Sequence, residues 1–433
     1  MPALYKGIVA DLPRETLRTQ LAAARNQADR LFSMLAPSAI YERPIPERHR
    51  IVFYLGHLEA FDRNMICQTS PSELDGLFAF GIDPVDGKLP DDKPGDWPSV
   101  EEIRRYNQRA RSMVDASLDR AADSLMFHVV IEHRLMHAET LAYMLHWLPY
   151  ELRHHEDAGL APASTNGHPY EPRSVDIPAG RATLGQKSED PRAFGWDNEF
   201  DSHSVVVPAF AIDAFNVTNG QFLDFVRSGG YAERSFWDQK GCEWIQTSGI
   251  QHPKFWVQRG GDWFYRTMFE EIPLPSEWPV YVSHAEAQAY ARWRGKSLPT
   301  EAQYHRAAFG SVDGSERTYP WGGQTPGPQH GNFGCRSWTP APVGNFPAGQ
   351  SAFGVFDIMG NGWEWTSTPF APFPGFQAFP FYPGYSADFF DGRHFVMKGA
   401  SPRTDSAFLR PSFRNWFQPF YPNIYATFRC VEI

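Results

Sequence analysis

The stretch His133-Arg-Leu-Met-His137-Ala-Glu139 decides the interpretation of the first half of this chain. His133 and His137 are four residues apart, so on a helix their side chains lie on one face, one turn apart. A third histidine, His57, lies in an earlier segment that also has the apolar spacing of a helix. Three imidazoles that converge inside a helical bundle predict a metal site with open coordination positions, where chemistry can take place.

Four segments in the first 150 residues have helical periodicity, which predicts an up-down four-helix bundle. The first has apolar residues three or four positions apart: Leu17, Leu21, Ala24, Ala28, Leu31 and Leu35. The second begins at Ile51 and contains His57, and the third opens with a capping box at Ser99–Glu102. The fourth spans residues 125–148 and contains the histidine pair. Dense Pro and Gly between residues 69 and 98 predict a long loop, which in a compact domain is usually functional.

The second half of the chain differs from the first in composition and in helical periodicity. Residues 151–175 are polar and predict a linker, after which Gly, Pro, Trp and Phe become dense. Helical periodicity is rare beyond the linker, and the clear exception runs from Ser283 to Trp293. This half is therefore expected to contain little regular structure.

The bulk composition limits the partners of the protein. A formal net charge of −10 argues against nucleic acid, and no apolar run has the length of a membrane span. The four cysteines are far apart, and the N-terminal residues do not form a signal peptide, which together indicate a reducing cytoplasm. We therefore expect a cytoplasmic protein that binds neither nucleic acid nor membrane.

Several motifs follow one another in the second half: Ile177-Pro-Ala-Gly-Arg-Ala-Thr-Leu-Gly185, Phe215-Asn-Val-Thr-Asn219 with Gln221-Phe222, Leu298-Pro-Thr-Glu301, Tyr319-Pro-Trp-Gly322, Gly360-Asn-Gly-Trp-Glu-Trp365 and Phe428-Arg-Cys430. In this order they resemble the formylglycine-generating-enzyme (sulfatase-modifying factor) domain, a variant of the C-type-lectin fold, over most of residues 174–433. The first half, with its three histidines, resembles a DinB-type bundle. The resemblances imply an α+β protein with a DinB-like four-helix bundle at residues 1–150, a linker at 151–175 and a formylglycine-generating-enzyme-like domain at 176–433.

The two domains together, with the His-x-x-x-His-x-Glu pattern, resemble the ergothioneine-type sulfoxide synthases and their relatives, the selenoneine synthases. The resemblance implies a nonheme iron(II) enzyme that uses O2 to join a chalcogen donor to imidazole C2 of hercynine (Nα-trimethylhistidine). His57, His133 and His137 would be the iron ligands, although ligand type alone leaves zinc open as well. Glu139 lies two residues past His137 and points away from the histidine face, so we expect it to form a salt bridge or to hydrogen-bond a ligand rather than to bind the metal.

The segment Arg410-Pro-Ser-Phe-Arg-Asn-Trp416 matches the same family closely and implies a hercynine pocket at Asn415 and Trp416. A quaternary ammonium cannot donate an ordinary hydrogen bond, but an aromatic face attracts it by cation–π interaction. The plain alternative is that Trp416 belongs to the core of an aromatic-rich fold. Because the metal ligands lie in the first half and this motif lies near the C-terminus, we expect the active site between the two domains.

The donor side departs from the mycobacterial type of this family. Phe417 and Tyr421 stand where that type has an Asp and an Arg that hold γ-glutamylcysteine. Phe373, in the run Phe373-Pro-Gly-Phe376, stands where it has a catalytic Tyr. The loop Leu77–Asp83 contains no Tyr, and Met136 stands where family members have a Gln.

These departures predict a neutral, aromatic-lined donor site that includes Phe417 and Tyr421 and takes a selenosugar, as in the selenoneine synthases. The alternative is an ergothioneine-type sulfoxide synthase that uses cysteine or another thiol. A formylglycine-generating oxidase is disfavoured, because the position five before Cys430 is Tyr425 and the copper-binding cysteine pair is incomplete. A non-catalytic binding protein is disfavoured by the three intact histidines.

Overall fold

The structure is a computed structural model that describes residues 12–67, 72–79, 91–119, 124–154, 171–187 and 194–432. The chain divides into two compact units, one of Met1–Ala158 with Glu189–Phe194 and one of Gly159–Ser188 with Gly195–Ile433. The domain boundaries expected from the sequence stay predictions, since residues 155–170 lie outside the described part.

Helices build the described part of the first unit: α1 (Arg14–Ser33), α2 (Ile51–Cys67), α3 (Glu73–Leu77), α4 (Val100–Leu118) and α5 (Leu125–His146). The long helices pack as α1 against α5 and as α2 against both α4 and α5. A helical first domain is therefore confirmed. The helix predicted to include Leu35 ends at Ser33, and Leu35 instead forms an isolated bridge with Arg153.

The capping box predicted at the start of the third long helix is present at the start of α4. The Ser99 hydroxyl accepts a hydrogen bond from Glu102 N at 3.3 Å, and the Glu102 carboxylate accepts one from Ser99 N at 2.9 Å. Two of the orphan donors at the helix start are thereby satisfied.

The long connection predicted between residues 69 and 98 contains short helical segments that the sequence analysis did not predict. The segment contains α3 and a 3₁₀ turn at Pro94–Asp96. A second capping box starts α3, where Ser72 and Asp75 exchange hydrogen bonds, and this local signal outweighs the neighbouring breakers. Residues 80–90 lie outside the described part.

The described part of the second unit contains four short helices: α6 (Asn219–Arg227), α7 (Gln239–Ser248), α8 (His284–Trp293) and α9 (Glu301–Phe309). The sequence analysis predicted only α8. Both α6 and α9 begin with capping boxes, at Thr218 with Gln221 and at Thr300 with Gln303, which were legible in the sequence. Their length does not explain why they were missed, because α8 is equally short; periodicity alone was used as the helix signal here, and the capping boxes of α6 and α9 were not.

Short strands form the rest of this unit: β1 (Ser174–Ile177), β2 (Gly180–Leu184), β3 (His203–Val207), β4 (Phe210–Asp213), β5 (Trp256–Arg259), β6 (Asp262–Arg266), β7 (Glu271–Pro273), β8 (Gly362–Pro369), β9 (Phe395–Ala400), β10 (Asn415–Phe417), β11 (Ala426–Thr427) and β12 (Val431–Glu432). They pair in the orders β10-β9-β8-β11, β1-β4-β12, β5-β6-β7 and β2-β3. Helix α9 packs against β2, β8 and β9 and contributes Tyr304, Ala307 and Ala308 to the core. The predicted α+β class is confirmed.

The absence of a membrane span and the absence of a disulfide scaffold were both expected from the sequence. Within the described residues, every helix is too short or too polar to cross a bilayer. The four cysteines, which all lie in described segments, have free thiols. The cytoplasmic location stays a prediction.

Candidate active site

The structure brings the three predicted metal ligands together inside the first unit. His57 on α2 and His133 and His137 on α5 are 6%, 3% and 5% exposed. The Nε2 atoms of His133 and His137 are 3.0 Å apart, and one nitrogen from each of the three rings lies within 4.8 Å of the others. The i, i+4 spacing on α5 and the packing of α2 against α5 produce this group.

One backbone hydrogen bond sets the orientation of His57. Its Nδ1 lies 2.7 Å from the carbonyl oxygen of Phe78, just after α3. A carbonyl can only accept, so Nδ1 carries the proton and the Nε2 lone pair is left for a ligand. Nε2 has no hydrogen-bond partner among the described residues, although it is buried. Imidazoles that ligate metals are usually held in this way.

Phenyl rings stack on two of the three imidazoles. Phe61 stacks on His133 with ring centroids 3.5 Å apart and an interplanar angle of 9°. Phe53 stacks on His57 at 4.7 Å and 23°. These contacts restrict rotation of the rings about χ2, so the nitrogens stay directed at one another.

The site keeps its imidazoles neutral. Burial lowers the pKa of His57 to about 4, although the Phe78 carbonyl opposes this shift. Burial also holds the pKa values of His133 and His137 well below their usual range, with further lowering by the neighbouring histidines and Arg134. Neutral imidazole is the form that binds a metal ion, so the three residues fit a divalent cation. Three ligands leave coordination positions for small molecules.

Glu139 does not belong to this cluster, whose members within the described part of the chain are the three histidines alone. Its side chain is half-buried. The hydrogen-bonding or ion-pairing role expected for it stays a prediction. The sequence did not reveal the Phe78 carbonyl, because a backbone group 21 residues away in the chain leaves no residue signature.

The predicted hercynine-binding residues Asn415 and Trp416, which we call the acceptor motif because hercynine would accept the chalcogen, lie on β10, at the edge of its sheet. Trp416 is paired with Val396 of β9 and is half-buried. Phe370 stacks on Trp416 at 4.1 Å and 7°, Tyr385 meets it edge-on at 5.5 Å, and Phe389 lies at 5.6 Å. We call these four residues the Trp416 cluster. Its other members come from loops and from a 3₁₀ turn at Ala387–Phe389, which is why periodicity in the sequence did not reveal them.

Charged residues anchor the chain just before the acceptor motif. Arg414 is 2% exposed; its Nε donates to Glu301 at 3.0 Å, and its guanidinium lies 4.0 Å from the centre of the Phe373 ring. The Lys398 ammonium donates to the carbonyl oxygens of Pro411 and Phe413 at 2.8 and 2.5 Å. Asn415 itself is half-buried, and its Oδ1 accepts a hydrogen bond from Trp416 N at 2.9 Å.

Phe417 and Tyr421, the residues predicted to line the donor site, form an aromatic pair. The rings of Phe417 and Tyr421 stack at 5.4 Å and 12°, and both side chains are half-buried. Phe373 is 7% exposed and lies between Arg414 and His203, whose ring is 4.5 Å away. Met136 is half-buried on α5, and residues 80–83 of the Tyr-free loop lie outside the described part.

Comparison with known proteins covers both units. Residues 20–156 match the DinB superfamily, and residues 161–433 match the sulfatase-modifying factor enzyme 1-like domain. A hercynine oxygenase of Mycobacterium tuberculosis is 39% identical over 331 residues, which cover 72% of this chain and 73% of that protein. A hercynine oxygenase of Mycolicibacterium smegmatis is 32% identical over 437 residues, which cover 96% of this chain and 99% of that protein.

A fungal relative extends the comparison. Ergothioneine biosynthesis protein 1 of Neurospora crassa is 27% identical over 508 residues, which cover 92% of this chain and 55% of that protein. The bacterial similarities span both the histidine-bearing bundle and the domain with the acceptor motif. The chain therefore belongs to the family of the hercynine oxygenases, a family of oxidoreductases.

Proposed function

We propose that this chain uses iron(II) and O2 to form a carbon–selenium or carbon–sulfur bond at imidazole C2 of hercynine. The buried group of His57, His133 and His137, in a chain related to hercynine oxygenases, carries the proposal. In the overall reaction, the chalcogen and C2 each lose a hydrogen and become bonded to each other. One oxygen atom of O2 leaves as water with these two hydrogens, and the other becomes the oxygen of a selenoxide or sulfoxide.

The metal centre would be iron rather than zinc. Three neutral imidazoles accept either ion, and the redox reaction decides between them, because zinc has no accessible second oxidation state. Iron held by His57, His133 and His137 would supply electron exchange with O2. The chain itself contributes buried neutral nitrogens in a fixed orientation and a surrounding of aromatic rings.

We propose that Asn415 and Trp416 bind hercynine. Trp416 is only half-buried, so part of its indole is open to a ligand, while Phe370 supports its ring by stacking. An indole is the side chain best suited to attract a trimethylammonium group. The Asn415 amide has donors to offer the hercynine carboxylate, while its oxygen is held by Trp416 N.

For the donor we propose a neutral selenosugar. A charged peptide donor buried beside the Phe417–Tyr421 pair would have no ionic partner from those two side chains and would bear the cost of desolvation. Aromatic faces suit a sugar, whose C–H groups pack against rings. Phe373 has no hydroxyl for proton transfer, which favours a donor atom that is oxidised easily, and selenium is oxidised more easily than sulfur.

The second candidate is an ergothioneine-type sulfoxide synthase that takes cysteine or another thiol, and the fungal relative named for ergothioneine biosynthesis favours it. Formylglycine generation is disfavoured by Cys430 and Tyr425. The Cys430 thiol is 1% exposed, burial raises its pKa well above the usual range, and Tyr425 occupies the place of a second cysteine.

A donor competition tests the proposal. Iron-loaded protein is incubated in air with hercynine and equal concentrations of selenosugar, thiosugar, cysteine and γ-glutamylcysteine, and the products are identified by mass spectrometry. We expect a selenium adduct at C2 to dominate and γ-glutamylcysteine to react poorly. Dominant cysteine adducts would establish the second candidate instead. The absence of any hercynine adduct from protein with full iron content would refute both.

A further inference from the structure

A buried ion network joins the two helices that carry the histidines. Arg134, next to His133 on α5, donates to both Glu59 carboxylate oxygens at 3.1 and 3.0 Å, to Asp62 at 2.5 Å and to the Leu58 carbonyl oxygen at 3.1 Å. Glu59 and Asp62 both lie on α2. Arg134, Glu59 and Asp62 are at most 1% exposed. We call these three residues the Arg134 network.

The Arg134 network contacts α2 on a different side of the helix from His57. At about 100° per residue, Glu59 lies about 200° and Asp62 about 140° around the helix from His57. Side chains of α5 therefore reach α2 at two azimuths, since His133 and His137 lie near His57 and Arg134 bonds the two carboxylates. Two attachments at different azimuths prevent rotation of α2 about its axis, which one attachment would permit.

The same network prevents sliding of one helix along the other. Glu59 and Asp62 are three residues apart, about 4.5 Å along the helix axis, and one guanidinium contacts both. A shift by one residue would displace His57 by about 1.5 Å and turn it by about 100°. Metal–nitrogen bonds of about 2.0–2.1 Å require ligand nitrogens about 3.0–3.4 Å apart, so the site does not tolerate such a shift.

We propose that Arg134, held by Glu59 and Asp62, is a positioning residue for the metal centre that fixes the register of α2 against α5. The inference rests on the metal binding proposed above. Buried ion networks are often replaceable by apolar residues without loss of stability, so stability alone does not account for this one. Its specific contribution is that only one register satisfies the charges, and in that register His57 faces the pair on α5.

Replacement of the whole network separates positioning from stability. Arg111 on α4 also donates to Glu59, at 2.8 Å. The variant Arg134→Met/Glu59→Leu/Asp62→Val nevertheless leaves no buried charge unpaired, because Arg111 keeps its bonds to Asp29 at 2.7 and 2.8 Å. The probe is Co²⁺, added to the full-length protein and followed by its visible absorption, with the melting temperature of the metal-free protein measured in parallel. The matched control is Arg25→Met: Arg25, 8% exposed, pairs with Asp115 at 2.7 Å between α1 and α4, which carry none of the three histidines, and its charge acts on Asp62 through space without a hydrogen bond.

We expect the triple variant to melt no lower than wild type and to bind Co²⁺ about 10- to 100-fold more weakly, the effect typical of residues that orient ligands. Arg25→Met should bind as wild type does. Arg134→Lys keeps the positive charge but loses the planar guanidinium that bonds both carboxylates, so it should bind Co²⁺ with intermediate affinity. If the triple variant does not fold, the Co²⁺ affinity of Arg134→Lys tests the positioning role.

Wild-type affinity in the folded triple variant, or in Arg134→Lys when only that variant folds, would overturn the positioning role alone. Equal weakening by Arg25→Met would overturn it as well, because any buried charge of the bundle would then have the same effect. If wild-type protein itself failed to bind Co²⁺ or iron, the metal centre would be refuted and the inference with it.

Discussion

Replacement of Trp416 by Ala tests the acceptor site most directly. A cation–π contact contributes about 0.5–1 kcal/mol at an exposed ring and about 2 kcal/mol when desolvated. Trp416 is half-buried and supported by Phe370 at 4.1 Å, so we expect about 1–2 kcal/mol. The dissociation constant of hercynine should therefore rise about 5- to 30-fold.

The comparison ligand is histidine, which differs from hercynine only in having an ammonium in place of the trimethylammonium. An ammonium can replace a lost aromatic contact by hydrogen bonds, so histidine should lose less affinity. Trp416→Phe is the matched control, because it keeps a ring against Phe370 but has a weaker quadrupole; it should fall between wild type and Trp416→Ala. Affinities are measured by calorimetry without O2, on protein shown to be folded.

An equal loss of affinity for hercynine and histidine would refute the reasoning. The tryptophan would then act through packing within the Trp416 cluster, where it contacts Tyr385 and Phe389 as well as Phe370. That result would leave the metal centre untouched.

Three further predictions concern the metal, the donor and a buried acid. His133→Ala should lose both bound iron and turnover, measured by metal analysis and product formation; full iron content would contradict the ligand assignment. Phe417→Asp combined with Tyr421→Arg should raise the use of γ-glutamylcysteine relative to the selenosugar in the donor competition, and an unchanged ratio would show that the Phe417–Tyr421 pair does not select the donor. Burial raises the pKa of Asp357 from 3.8 to about 6, so the folded state binds more protons than the unfolded state between those values, and the free energy of unfolding should fall as pH rises through them, by on the order of 2–3 kcal/mol. Asp357→Asn should lack this loss and be the more stable protein at pH 7 in urea titrations, whereas parallel pH profiles of the two proteins would contradict the assignment.

Local patterns in the sequence determined the long helices. Spacing every three or four residues identified α1, α2, α4 and α5, and the Ser99 capping box located the start of α4 within a residue. The short helices α6 and α9 have equally good capping boxes and nearly the length of α8, but their apolar spacing is less clear than that of α8. The capping boxes Thr218–Gln221 and Thr300–Gln303 are local signals that mark where these two helices begin.

The sequence alone also determined that His133 and His137 share a helix face, because a spacing of four is a local property. Whether His57 meets them depends on how α2 packs against α5, and only the tertiary structure decided that. The Phe78 carbonyl that orients His57, the rings that stack on Trp416 and the partners of Arg134 are likewise far away in the chain. Helix periods and caps arise from interactions within about one turn and are legible in a linear sequence, whereas these contacts arise from chain segments that packing brings together, so their identity is decided by the fold as a whole.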